Sequence, residues 1–174
     1  MTKQELSLLI DNWINIEWLQ QEIIQNHNLY KLLVDIAFYD NKSKSWRAAY
    51  MLDKINDTNP NLLLPYLEQM LNQLKVESSS SKKRHFLKLL SQNRIPDHYT
   101  GFLFDYCLKN INSAKEPPAV RVHAMQILFN LTQTYPELRE EVLSVIEHEM
   151  EYHSTAGIIS RGKKLVYKLR KQLS

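Results

Sequence analysis

The sequence predicts an all-α chain, arranged as a short right-handed α/α superhelix of about four helix pairs behind an N-terminal helical cap. Three observations carry that expectation. Only three of the 174 residues are glycine, which leaves little material for hairpin turns, while Leu, Ile, Lys, Glu, Gln and Asn favour helices. Apolar residues recur at helical spacing between stretches rich in Pro, Ser and Asn, and no segment alternates with period two over a useful length. Arg47, Arg84, Arg121 and Arg161 fall 37, 37 and 40 residues apart, each early in an amphipathic segment. A helix pair of that period cannot bury its apolar stripe alone and must stack on its neighbours.

Each element has its own local signal. Thr2 and Glu5 have capping-box spacing ahead of Leu6, Leu9, Ile10, Trp13 and Ile14, so the chain is expected to open on a helix reaching Ile14. A second short helix is expected from about Glu17 to Gln25, on Trp18, Leu19, Ile23 and Ile24. Pairs follow. Their first members are Leu29 to Tyr39, Pro60 to Leu74, His98 to Ile111 and Tyr135 to Tyr152; their second members are Ser45 to Ile55, Ser81 to Gln92, Ala119 to Thr132 and Ala156 to Leu169. The breaks are marked by Asn59-Pro60, Ser78 to Ser81, Ile95-Pro96-Asp97, Glu116-Pro117-Pro118 and Thr134-Tyr135-Pro136-Glu137. The last reads as another capping box with proline in the first turn, and Ser81 as the cap of the helix that follows it. The expectation is one domain over residues 1–174, with 1–27 capping and 28–171 repeating.

The segment Val120-Arg121-Val122-His123-Ala124-Met125-Gln126-Ile127-Leu128 resembles the second helix of a HEAT repeat, in which an apolar residue, Arg, a small residue and a later Leu recur. Ser45-Trp46-Arg47-Ala48-Ala49-Tyr50-Met51-Leu52 is similar, and Lys83-Arg84-His85-Phe86 and Ser160-Arg161-Gly162-Lys163 are weaker copies. The resemblance covers about residues 28 to 171 and extends to small uncharacterised bacterial all-helical proteins of this armadillo-type class. It implies an architecture suited to protein binding or scaffolding, and it carries no activity with it.

Charge is sorted between the two sets of helices. The second members hold Arg47, Lys54, Lys82, Lys83, Arg84, Lys88, Arg121, Arg161, Lys163, Lys164, Lys168, Arg170 and Lys171 against Asp53; the first members hold most of the acids, among them Glu147, Glu149 and Glu151. In the HEAT architecture the second helices line a concave face, so the resemblance implies a basic inner surface that would concentrate an acidic protein or peptide segment. Arg47, Lys83, Arg84, Lys88, Arg121, His123, Arg161, Lys163, Lys164 and Lys168 are the candidate partner-binding residues. The plainer reading is that each repeat arginine ties one repeat to the next, with its stem covering apolar surface, and that both faces are merely solvated. Nucleic acid is a further possible partner, because alkylpurine DNA glycosylases of HEAT-like build place aromatics and a carboxylate on the concave face. Trp46, Tyr50 and Asp53 have the spacing for this, as would a buried Trp and Tyr beside an exposed Asp.

Other chemistry finds little support. The single Cys107 has no disulfide partner, and its apolar neighbours suggest a buried side chain rather than a nucleophile. Glu149 and His153 are spaced i, i+4, but no HExxH or comparable chelating pattern occurs and a solvated acidic face is expected there. No catalytic constellation, cofactor motif, metal site or small-molecule substrate is evident. The net charge of +3 is mild, the N-terminal apolar run is too short for a signal peptide, and no stretch approaches the ~20 apolar residues of a membrane span. The expectation is therefore a non-enzymatic cytoplasmic binding module.

Overall fold

Ten α-helices and no β-strand make up the computed structural model, which describes residues 1–174. The all-α class expected from the sequence is the one observed. Contacts group the chain into two compact units, Met1–Leu89 and Leu90–Ser174.

The first unit opens with α1, Lys3–Asn12, and α2, Ile16–Gln25. The Thr2 capping box forms as its spacing predicts: Thr2 N–H donates to Glu5 Oε2 at 2.7 Å, and Glu5 N–H to Thr2 Oγ1 at 3.3 Å. Helix α1 stops two residues before the predicted end at Ile14. Trp13 turns left-handed at φ 57°, and the amides of Trp13 and Ile14 cap the carbonyls of Ile10 and Leu9, each at 3.2 Å. That is a Schellman closure with tryptophan where glycine is the usual occupant.

Next come α3, His27–Tyr39, and α4, Trp46–Thr58, which pack on each other and on α1 and α2. The predicted helix from Pro60 to Leu74 is instead two 3₁₀ turns, Pro60–Leu62 and Leu64–Tyr66, followed by α5, Leu67–Leu74. Pro65 is the cause: it has no N–H to donate and its ring clashes with the carbonyl four residues back, so α-helix starts only beyond it. Helix α6, Ser80–Ser91, lies in this unit as far as Leu89, and its Phe86 meets Phe38 of α3 edge to face at 5.4 Å. Its N-terminus is capped by Ser79, whose Oγ accepts from Lys82 N–H at 3.4 Å, and not by Ser81.

The second unit, from Leu90, contains a 3₁₀ turn, Asp97–Tyr99, and then α7, Thr100–Ile111, and α8, Pro118–Thr134. After a 3₁₀ turn at Pro136–Leu138 come α9, Arg139–Tyr152, and α10, Ala156–Leu173. The capping box expected at Thr134 does not form. Helix α8 continues through Thr134, and Pro136 starts a 3₁₀ turn instead. Helix α8 packs against α7, α9 and α10, so Val120, Ala124, Met125, Ile127 and Leu128 are all buried. Gly162 lets α10 approach closely: a Cβ there would lie 2.4 Å from Met150 Sδ and 3.3 Å from Met125 Cε.

Candidate functional site

In the first unit, α4 presents Trp46, Tyr50, Asp53 and Asp57 at spacings of about one turn, and α6 faces them with Arg84, His85 and Lys88. Asp53 is buried. It accepts from His85 Nδ1 at 3.0 Å and from Lys88 Nζ at 2.5 Å, while Lys88 also reaches Asp57 at 3.4 Å. His85 Nε2 lies 3.0 Å from an Arg84 N–H group. That donor assigns the neutral ring with its proton on Nδ1, where it is given to Asp53. Burial by itself would raise the Asp53 carboxyl, but the hydrogen bonds from His85 and Lys88 outweigh it and hold the group below its ordinary value. Burial likewise works against the Lys88 ammonium, and the bonds and charge of Asp53 and Asp57 more than reverse this, raising it. Burial is thus the reverse of a buried Trp and Tyr beside an exposed Asp: the Asp53 carboxylate is inside, and the Trp46 and Tyr50 rings are only half-buried. Tyr50 stands edge-on to His85 at 5.6 Å.

Beside this network lies an aromatic seam between α1 and α4. Trp13 meets Tyr50 at 5.5 Å and Trp46 at 6.5 Å, and the Arg47 guanidinium lies 5.1 Å from the Trp13 ring centre. Arg47 also donates to the carbonyl of Asp11 in the last turn of α1. It is a clamp between two helices, its planar cation satisfying a helix-end acceptor and stacking on indole. Lys82, counted among the inner bases, is buried too: its Nζ donates to the Asp40 carbonyl that ends α3 at 2.8 Å and lies 3.4 Å from Glu77. Lys83 and Arg84 are half-buried.

In the second unit the repeat arginines again turn inward. Arg121 is buried, pairs with Glu149, and donates through Nε to the Ile111 carbonyl at 3.1 Å. Glu149 is 1 % exposed and lies 3.0 Å from His153 Nδ1, so the solvated acidic face expected at Glu149 is in fact the interior partner of Arg121. Arg161 donates to Gln126 at 2.6 Å, and Gln126 in turn to Asn130 at 2.8 Å, joining α10 to α8. His123 is half-buried, and Cys107 is fully buried, which pushes its thiol well above the usual range.

Helix α10 is different. Lys163, Lys164, Lys168 and Lys171 are exposed, its remaining bases are Arg161 and Arg170, and its eighteen residues include no acid. Lys168 rests over the Phe129 ring at 5.6 Å, and Arg170 pairs with Glu147 at 2.6 Å. The helix dipole explains bases in the last turn, Arg170 and Lys171, but not Lys163 and Lys164 in mid-helix. Of the candidate residues, then, the structure draws Arg47, Lys88, Arg121 and Arg161 into intramolecular bonds and leaves Lys163, Lys164 and Lys168 at the surface.

Two participants escaped the sequence reading. Glu149 is in helical register with Val142 and Ile146, the buried stripe of α9, so a charged residue on an apolar stripe was the available signal. Trp13 had none, because its position depends on the left-handed turn that ends α1.

No helix is long and apolar enough to cross a membrane. Residues 3–169 match the family model of the HEAT repeat domain. No curated protein and no solved structure matches the chain. The chain belongs to the HEAT repeat family, whose repeats generally mediate protein–protein interaction.

Proposed function

We propose that this HEAT repeat protein is a non-catalytic interaction module that receives an acidic protein segment on the cationic face of its last helix. The observation behind this reading is the contrast within one basic set: Arg47, Arg121 and Arg161 are consumed by internal bonds, whereas Lys163, Lys164, Lys168 and Lys171 stand exposed on an acid-free helix. Four cations on one short surface raise the local concentration of an anionic segment and steer its approach, an effect that salt weakens. The rest of the basic inner wall suggested by composition contributes less, since Asp53 and Asp57 compensate Lys88.

The test is a titration of the whole chain with a labelled polyglutamate peptide of about 20 residues, chosen to span the length of α10 in any conformation. Charge reversal at Lys163, Lys164 and Lys168 is expected to weaken binding by about tenfold or more, three exposed pairs each contributing up to ~1 kcal/mol. Unchanged affinity in that variant refutes the reading. A gel shift with duplex DNA from ~50 to 200 mM salt separates the nucleic-acid alternative, for which a steep loss with salt is expected.

A further inference from the structure

Helices α9 and α10 run side by side with an open groove of about 630 Å³ between them. Met150, Ile159 and Val166 line it, and Tyr167, 70 % exposed, stands beside them. Its two rims carry opposite charge. Lys163 and Arg170 belong to the α10 side, Glu147 and Glu151 to the α9 side. Arg170 and Glu147 bridge the groove at 2.6 Å, and at the other end Lys163 and Glu151 keep their charges unengaged by any partner.

An apolar floor between a cationic and an anionic rim fits one kind of occupant. We propose that this groove docks an amphipathic helix from a partner protein, whose apolar ridge enters the groove, whose acidic edge lies along α10 and whose basic edge lies along α9. A ridge repeating at i, i+3, i+4 and i+7 is the spacing such a groove reads. The stretch from Ile159 to Val166 along α10, short of the Arg170–Glu147 bridge, corresponds to ~10 Å, or about two turns of the bound helix. Because a helix turned end for end exchanges its two edges, the opposed rims also set the direction in which the partner lies. This inference rests on the reading that α10 binds an acidic segment, and it adds that the segment is helical, ridged and charged oppositely on its two edges.

Three labelled helical peptides of about 14 residues, sharing one leucine ridge, test it by fluorescence anisotropy against the full chain. One carries acid on one edge and base on the other, one acid on both, one base on both; a fourth replaces the ridge with serine. The mixed-edge peptide is expected to bind native protein tightest, by about threefold to fivefold, the range of one exposed ion pair. In Glu151→Lys the all-acid peptide should overtake it, and in Lys163→Glu the all-base peptide, both variants being checked for folding by far-UV circular dichroism. The inference is overturned if the ranking is the same in all three proteins or if no ridged peptide binds. Equal binding of the serine-ridge peptide also overturns it. In that case the cationic-face reading survives, provided the polyglutamate titration still responds to reversal of Lys164 and Lys168.

Discussion

Replacing Arg121 by methionine would isolate what the buried ion pair of the second unit contributes. The Arg121 side chain is 6 % exposed and that of Glu149 1 %, so the substitution keeps the apolar stem and leaves a carboxylate in the interior with its main partner gone. The bond from Arg121 Nε to the Ile111 carbonyl, at the end of α7, is lost as well. A lost hydrogen bond costs about 1 kcal/mol, and breaking one side of a buried pair costs about 3–5 kcal/mol in all, because the surviving charge is uncompensated. For a chain of this size that corresponds to a fall in Tm on the order of 10 °C. Urea and thermal unfolding followed by far-UV circular dichroism measure both quantities. The double variant Arg121→Met with Glu149→Met removes the orphaned charge and is expected to recover most of the loss, since an apolar pair of similar volume is often as stable as a buried ion pair. A loss below about 1 kcal/mol in the single variant, or a double variant no better than the single, would refute the claim that Glu149 is held in the interior by Arg121.

Other predictions concern packing, backbone and pH. Gly162→Val should destabilise by about 1–3 kcal/mol, because its Cβ would meet Met150, and adding Met150→Ala should return part of that in the same melts. At Trp13, held at φ 57°, Gly should be more stable than Ala by about 1 kcal/mol although neither keeps the stacking on Tyr50; equal stabilities would show that the left-handed turn has moved. Asp53 titrates lower in the folded chain than in the unfolded one, so the unfolded state binds more protons in acid: its contribution is present above the ordinary carboxylate pKa of about 4 and disappears as pH falls through the folded value. Asp53→Asn should therefore flatten the acid limb of a stability–pH profile. Lys88 is raised, so its contribution is present below the ordinary lysine value of about 10.4 and is lost as pH rises through the folded value; Lys88→Met should flatten the alkaline limb.

Much of the fold was legible because helix formation is local. The capping box at Thr2, the prolines, and the recurrence of Arg47, Arg84, Arg121 and Arg161 read out directly as helix starts and as a repeating pair. Structure departs from local expectation where a second local effect overrides the first. Pro65 lay within an apolar run that otherwise looked helical, and Trp13 continued the apolar spacing of α1 although the chain turns left-handed there. The candidate site was legible only as composition. The order of bases along the second helices does not encode which of them are engaged by Asp53, Asp57, Glu149, Gln126 or a backbone carbonyl.

The sequence by itself determined that this chain is helical, that its helices come in repeating pairs, and which residue types the repeat arginines bring, because periodicity and capping depend on neighbours within a few positions. Tertiary structure decided which charges stay in water. Arg121 and Lys163 are both cations on second-member helices, yet one faces a carboxylate across the interior of the second unit and the other faces solvent. That difference is set by residues far apart in the chain, Glu149 for Arg121 and Asp53 for Lys88, which only the packing of helices brings within bonding distance.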